Sequence, residues 1–152
     1  MNLPDEKIII MDIDGTLADV MHRVHYVRSK PRNWPAFNRA MVHDTPNHDI
    51  VWLYKTLWKQ PDTIMLIASG RGDEMRSVTE KWLLDNDILC EKLYMRPAAD
   101  YRSDDVIKAE ILEQIRTEYG EPWMVFDDRP QVIRMWRKNG VKVLDCGEGV
   151  EF

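Results

Sequence analysis

The chain has 152 residues, of which 44% are hydrophobic and 31% are charged, and its formal net charge is −5. This composition is ordinary for a folded globular protein of one domain, and the acidic balance argues against a broad nucleic-acid-binding surface. No apolar stretch reaches membrane-spanning length, and the N-terminal residues do not resemble a signal peptide. The two cysteines, Cys90 and Cys146, lack metal-ligand spacing, so we expect a cytoplasmic protein with reduced thiols.

The first predicted strand leads into the most informative segment of the chain. The largely apolar run 7–10, Lys-Ile-Ile-Ile, is followed by Met-Asp-Ile-Asp-Gly-Thr-Leu-Ala at 11–18. Two carboxylates one residue apart on an extended backbone point the same way, and the glycine and threonine then end the strand. This arrangement suits a nucleophile, Asp12, beside an acid–base group, Asp14, and it predicts phosphoryl transfer through an aspartyl phosphate.

Residues 19–61 form a predicted insertion after this motif. We expect the insertion to be mainly helical, with a loop around 30–35, and to form a small cap over the site. Its aromatic residues Trp34 and Phe37 either stack a base or pack the cap against the domain. The His43-Asp44 pair suggests a histidine-aspartate phosphohydrolase, but that chemistry belongs to an all-helical fold, which the predicted strands contradict.

Alternating strands and helices are predicted for the remainder of the chain. Apolar runs predict strands over 63–68, 91–95, 123–126 and 142–145. Helical periodicity predicts helices over 73–85, 103–119 and 129–139, with Ser103 as a cap and Gly140 as a stop. This order predicts an α/β fold, a Rossmann-like three-layer sandwich with a parallel sheet. We expect residues 1–152 to form a single domain.

Candidate site residues fall at the carboxyl ends of predicted strands, where ligands of such sheets bind. The hydroxyl of Ser69 can donate to a phosphoryl oxygen, and Lys108, near the start of a predicted helix, can supply positive charge. Asp127 and Asp128 can hold a divalent metal through oxygen ligands. Like charges about 4 Å apart repel by roughly 4 kcal/mol at an effective dielectric of about 20. A cation is therefore required where several carboxylates and a phosphate dianion meet at the carboxyl ends of the strands.

These motifs, in this order, resemble those of the haloacid dehalogenase superfamily of phosphatases. The segments 69–71, 101–108 and 126–137 are similar to the 3′-phosphatase domain of bacteriophage polynucleotide kinase-phosphatases. The resemblance is strong over 8–18 and from 63 to the C-terminus, and it is weak across the insertion. It implies removal of 3′-phosphate from nucleic-acid ends, and it leaves a separate kinase or ligase partner open.

The resemblance also implies a role for each candidate residue. The catalytic residues would be Asp12 as nucleophile, Asp14 as general acid and base, and Ser69 and Lys108 as phosphate ligands. Mg²⁺ would be held by Asp12, the backbone carbonyl of Asp14, Asp127 and, through water, Asp128. Arg23, Arg71 and Asp104 fall where the family has functional residues and are candidates for binding the substrate. Surface arginines such as Arg102 either face a phosphate backbone or are simply solvated.

Two alternatives remain open at this point. A nucleotidase acting on free nucleoside monophosphates would use the same core, and the insertion would decide between the two substrates. A receiver-like signalling module also uses a phosphoaspartate on a parallel sheet, although Asp14 favours hydrolysis. This chain contains no Gly-x-x-x-x-Gly-Lys-Ser/Thr loop, so no kinase half is predicted in it.

Overall fold

The structure is a computed structural model that describes residues 5–149. The strands in chain order are β1 (Lys7–Met11), β2 (Ala18–Asp19), β3 (Thr45–Pro46), β4 (Thr63–Gly72), β5 (Lys92–Arg96), β6 (Met124–Asp127) and β7 (Val143–Asp145). The α-helices are α1 (His25–Arg28), α2 (Trp34–Arg39), α3 (His48–Trp58), α4 (Arg76–Asp85), α5 (Asp104–Glu118) and α6 (Pro130–Lys138). Two 3₁₀ turns span Ala40–His43 and Asp73–Met75.

Five of the strands form one parallel sheet in the order β5-β4-β1-β6-β7. The last residue of β1, Met11, is level with Ile67 of β4 and with Phe126 of β6. The three central strands therefore deliver their next residues to the same edge of the sheet. The predicted parallel sheet is confirmed, and β4 extends beyond the predicted 63–68 to Gly72.

The side chains of β1 alternate between two hydrophobic cores. Ile9 and Met11 pack in a core that includes residues of α3 and α4. Ile8 and Ile10 pack in a second core with residues of α5 and α6. All four side chains are fully buried, because a parallel sheet covered on both faces needs a continuous apolar strand. The predicted three-layer sandwich is confirmed.

The predicted helices are all present, with small differences at their first turns. The helix predicted over 73–85 begins with a 3₁₀ turn before α4. Ser103 occupies the N-cap position of α5, but its side chain makes no capping hydrogen bond. Gly140, with φ of +78°, follows the end of α6 as predicted. Within the described residues no helix has both the length and the apolar character that crossing a bilayer requires.

The insertion contains more kinds of secondary structure than the helices that were predicted for it. It contains α1, α2, a 3₁₀ turn and α3, and its β3 pairs antiparallel with β2. Strands of two residues are too short to give a periodic signal in the sequence. The helix α3 packs against the sheet through Val51 and Tyr54, and the Tyr54 hydroxyl donates to the Leu89 carbonyl at 2.7 Å. The part of 19–61 that lies near the site is therefore smaller than expected, because α3 belongs to a flanking layer.

Candidate active site

The candidate active site lies at the carboxyl edge of the sheet. Asp12 directly follows β1, and Asp127 is the last residue of the neighbouring strand β6. The backbone N–H of Asp12 donates to the Phe126 carbonyl at 3.0 Å, so the ladder between the two strands continues into the site. Lys108 reaches the same place from the second turn of α5. These three charged side chains are all buried.

Lys108 joins the two aspartates. Its Nζ donates to Asp12 Oδ1 at 2.6 Å and to Asp127 Oδ2 at 2.8 Å. Trp136 Nε1, from α6, donates to the same Asp127 oxygen at 3.1 Å. Burial lowers the pKa of a lysine ammonium, but the two carboxylates outweigh that effect and raise the pKa of Lys108. Lys108 is therefore a fixed positive charge at neutral pH.

The turn after β1 contacts a third carboxylate, Asp128, which directly follows β6. Thr16 Oγ1 lies 3.2 Å from Asp12 Oδ2 and 3.4 Å from Asp128 Oδ1. Gly15 has φ of +84°, and a Cβ atom at this position would lie 1.9 Å from Asp128 Oδ2. Only glycine permits both the backbone conformation and this close approach. In the Gly-Thr pair of the motif, the glycine thus leaves room for Asp128, and the threonine hydroxyl contacts both Asp12 and Asp128.

The carboxylates Asp12, Asp127 and Asp128 fit a divalent cation. One oxygen atom from each lies within 4.8 Å of the others. Burial raises the pKa of Asp12, and Asp127 adds to this rise while Lys108 opposes it. Burial likewise raises the pKa of Asp128 to about 6. A bound cation would relieve this crowding, and hard oxygen donors are those that Mg²⁺ prefers.

Asp14 contacts two arginines instead of the carboxylate cluster. Arg71 donates to Asp14 Oδ1 from Nη2 at 2.6 Å and from Nε at 3.1 Å. Arg23 Nη2 donates to the same oxygen at 2.9 Å. Burial raises the pKa of Asp14, but Arg71 and Arg23 outweigh burial and lower it to about 2. Asp14 is therefore a carboxylate at neutral pH, and the metal role predicted for its backbone carbonyl stays a prediction.

Both arginines are also held by Asp44, which the sequence did not identify as a site residue. The buried Asp44 carboxylate accepts from Arg23 Nε and Nη2, each at 2.7 Å, and from Arg71 Nη2 at 3.2 Å. His22 Nε2 lies 2.7 Å from Asp44 Oδ1, and Trp82 Nε1 donates to the Asp44 carbonyl at 2.9 Å. Asp44 thus connects the insertion to β4 and α4. Its local sequence carries no signal for this role, since the histidine that contacts its carboxylate is His22, which is 22 residues away.

Ser69 and Asp104 lie in the adjoining segments. The buried Ser69 Oγ accepts a hydrogen bond at 3.1 Å from the backbone N–H two residues later. Asp104, at the start of α5, forms ion pairs with Arg96 and with Arg129, the latter at 2.5 Å. A Cβ atom on Gly70 would lie 2.6 Å from Asp104 Oδ1. Asp104 therefore packs directly against the backbone that follows Ser69.

A cavity of about 600 Å³ opens onto these groups. The predicted site residues that line it are Asp12, Asp14, Arg71, Asp104, Lys108, Asp127 and Asp128. Arg23 is fully buried, with its guanidinium 4.2 Å from the Phe37 ring centroid and bonded to Asp14. The geometry makes Arg23 a support for Asp14, and its direct contact with substrate stays a prediction.

Comparisons with known proteins show which family the chain matches. The family model for the polynucleotide kinase PNKP phosphatase domain matches residues 6–151. A putative bifunctional polynucleotide kinase/RNA ligase of Autographa californica nuclear polyhedrosis virus is 32% identical over 150 residues, which are 96% of this chain and 20% of that protein.

Two solved structures extend the comparison. A chain of the Pnkp1/Rnl/Hen1 RNA repair complex superposes with a TM-score of 0.77 at 26% identity, over 98% of this chain and 45% of that one. The haloacid dehalogenase-like hydrolase SP0104 from Streptococcus pneumoniae shares the fold, with a TM-score of 0.66 at 15% identity, over 94% of this chain and 85% of that one. The chain thus spans less than half the length of the viral protein and of the repair-complex chain. It belongs to the polynucleotide kinase PNKP phosphatase-domain family, a group of phosphoric monoester hydrolases within the haloacid dehalogenase superfamily.

Proposed function

We propose that this chain is a Mg²⁺-dependent phosphomonoesterase that removes phosphate from the 3′ ends of nucleic acid through a phosphorylated Asp12. The observation that carries the proposal is the Asp12 carboxylate, which lines the cavity between Lys108 and Thr16. A carboxylate in this position meets an incoming phosphate with a fixed positive charge beside it. The family match and the RNA repair relative support a nucleic-acid end as the substrate.

In the first half of the reaction, Asp12 attacks phosphorus in line while the bond from phosphorus to the sugar oxygen breaks. Lys108 offsets the charge on the non-bridging phosphate oxygens. The Ser69 hydroxyl is a second candidate ligand for these oxygens. Mg²⁺ held by Asp127 and Asp128, together with Asp12, would supply further neutralisation of the phosphate charge.

Asp14 serves both halves of the proposed reaction. The departing sugar oxygen takes a proton from Asp14. The water that later attacks phosphorus gives a proton back to Asp14, while the bond between phosphorus and the Asp12 oxygen breaks and inorganic phosphate leaves. The two arginines stabilise the carboxylate form of Asp14, which is the form that accepts a proton from the attacking water. For the first task Asp14 must gain a proton, and a phosphate dianion that draws Arg71 toward itself would raise the pKa of Asp14 and favour that form.

Replacing Asp14 tests this assignment through the leaving group. In Asp14→Asn, enzyme phosphorylation by a 3′-sugar phosphate should slow by about 10²- to 10⁴-fold, because a sugar oxygen leaves poorly without a proton. An activated aryl phosphate should lose much less, since its leaving group needs little protonation. Single-turnover phosphorylation measures this step alone. Equal losses for both substrates would contradict the general-acid role.

Phosphate release from a panel of substrates tests the proposed function itself. The panel is a 3′-phosphorylated oligonucleotide, the same oligonucleotide with a 5′-phosphate, and free 3′- and 5′-mononucleotides. We expect the 3′-phosphorylated oligonucleotide to have the highest kcat/KM. Asp12→Asn is the background control, because asparagine matches aspartate in size but is a poor nucleophile, so its activity should be lost while its circular dichroism spectrum stays native.

One observation favours the alternative nucleotidase. A cavity of about 600 Å³ falls within the range of pockets that enclose small ligands. Preference for 5′-mononucleotides over every oligonucleotide in the panel would establish this alternative and refute the 3′-end phosphatase. The receiver-like alternative is not retained, because the family is one of phosphatase domains.

We also propose that the phosphatase acts together with kinase or ligase activities. The viral relative is described as a putative bifunctional polynucleotide kinase/RNA ligase, and the repair-complex relative is described together with Rnl and Hen1. A 3′-phosphatase produces a 3′-hydroxyl, which is the end that a ligase joins to a 5′-phosphate. The partner activity is therefore of a class that consumes the product of this site.

A further inference from the structure

Tyr101 is the most exposed of the large hydrophobic side chains in the described residues, at 92% exposure. It lies in the loop between β5 and α5 and lines the cavity of the active site. Among the described residues it has no hydrogen bond or ring contact. A packing role therefore does not explain an aromatic ring at this position.

The loop that carries Tyr101 is held firmly by its neighbours. Arg96 Nη1 donates to the Asp100 carbonyl at 3.1 Å, and the Asp100 N–H donates to the Pro97 carbonyl at 3.2 Å. Arg102, on the other side of Tyr101, is bonded to the Asp100 carboxylate through Nη2 at 2.7 Å. These contacts fix the backbone on both sides of the tyrosine. The ring is thus presented to the cavity mouth by a supported loop.

The insertion contributes a second aromatic ring and an unpaired cation to the same cavity. Trp34 is 42% exposed and contacts Phe37 edge to face at 5.5 Å. The cavity-lining cations Arg71, Arg96, Arg102, Lys108 and Arg129 all have carboxylate partners. Arg32 differs from them, because within the described part of the chain it forms no ion pair. One guanidinium is therefore available for an anionic ligand.

We propose that Tyr101 and Trp34 stack bases of a single-stranded nucleic-acid end while Arg32 contacts its backbone phosphate. This inference rests on the proposed function, since it describes how the strand that carries the scissile phosphate is held. Aromatic faces bind every base without sequence preference, and one cation beside them matches a phosphodiester. The chain's net charge of −5 also favours a local grip over a broad basic surface.

Tyr101→Ala tests the proposal, with Tyr101→Phe as the conservative variant. The ratio of kcat/KM for a 3′-phosphorylated single-stranded oligonucleotide to that for an aryl phosphate should fall about 5- to 100-fold in Tyr101→Ala. Tyr101→Phe keeps the aromatic face and should retain most of the ratio. Trp52→Ala is the matched control, because Trp52 is also exposed, at 67%, but lies on α3; its ratio should not change.

An abasic substrate sharpens the test. When the terminal nucleosides lack bases, the difference between wild type and Tyr101→Ala should disappear, because there is nothing to stack. A loss that persists on the abasic strand, or no loss on the normal strand, would overturn the stacking role.

Binding separates this inference from the proposed function. In an Asp12→Asn background, fluorescence anisotropy with a labelled single-stranded oligonucleotide should show weaker binding when Tyr101→Ala is added. If that binding depends on Tyr101 while wild type releases no phosphate from oligonucleotides, the proposed 3′-phosphatase fails and the binding surface stands. If Tyr101→Ala does not change the affinity for the oligonucleotide, the proposed stacking surface is refuted, whatever the substrate panel shows.

Discussion

Asp14 lies between two arginines, and this contact couples its protonation to the stability of the fold. Arg71 and Arg23 lower the pKa of Asp14 to about 2 despite its burial, whereas an unfolded aspartate titrates near ~3.9. A depressed pKa stabilises the folded state above the unfolded value. The stabilisation is lost as the pH falls through the folded value.

We predict that Asp14→Asn lowers the free energy of unfolding by about 2 kcal/mol at pH 7. The loss should stay constant down to about pH 5, be about halved near pH 3, and nearly vanish at pH 2. Urea unfolding at each pH measures the difference from wild type. A loss of the same size at pH 2 and pH 7 would show that the Asp14 charge does not contribute through the arginines.

At the scale of elements, Asp44 ties the insertion to the sheet. It follows the 3₁₀ turn Ala40–His43, and its carboxylate bonds to Arg71 of β4 and to Arg23. All three side chains are buried. Removing one charge from such a group leaves the others inside the protein without full compensation, which costs more than the pair contributed.

We predict that Asp44→Asn destabilises the protein by about 3–5 kcal/mol. The control is Asp85→Asn on α4, which makes the same change in an exposed ion pair. The Asp85 side chain is 59% exposed, and that of its partner Lys81 is 72% exposed. That variant should cost less than about 1 kcal/mol. Denaturant unfolding of the two variants gives the comparison. Similar small losses would mean that Asp44 does not anchor the insertion.

The contrast between Asp12 and Asp44 explains which parts of the structure could be predicted. Asp12 follows a strand whose last four residues are apolar, in a motif whose turn demands glycine, so the local sequence reveals both its position and its chemistry. Asp44 follows a single turn, and its partner Arg71 is 27 residues away. No periodic pattern reports such a contact. The two-residue strands β2 and β3 were not predicted for the same reason, because they are too short to show a periodic pattern.

At the scale of the whole molecule, the sheet topology gathers the site from distant segments. Lys108 is 96 residues from Asp12 in sequence, yet their charged atoms lie 2.6 Å apart. The predicted parallel sheet placed Asp12 and Asp127 at one edge, because parallel strands deliver their carboxyl ends to the same side. It did not predict that Thr16 and Trp136 would hold these carboxylates, since those contacts depend on side-chain packing.

The crowding of Asp12, Asp127 and Asp128 predicts that a divalent cation controls both activity and stability. Chelation with EDTA should abolish phosphate release, and Mg²⁺ should restore it. At about 100 times its dissociation constant, Mg²⁺ should stabilise the fold by about 2.7 kcal/mol, which is several degrees in Tm. Calcium should bind but inhibit, because its larger and looser coordination misplaces the nucleophile relative to phosphorus.

Two variants separate site binding from general ionic effects. Asp127→Asn removes one carboxylate of the cluster, so its Tm should no longer rise with Mg²⁺. Asp85→Asn changes an exposed carboxylate on α4 and should keep the full rise. Differential scanning calorimetry with and without Mg²⁺ measures both variants without any need for turnover. An equal rise in both variants, or full activity in excess chelator, would refute the metal site, because either result means that the cluster does not need a cation.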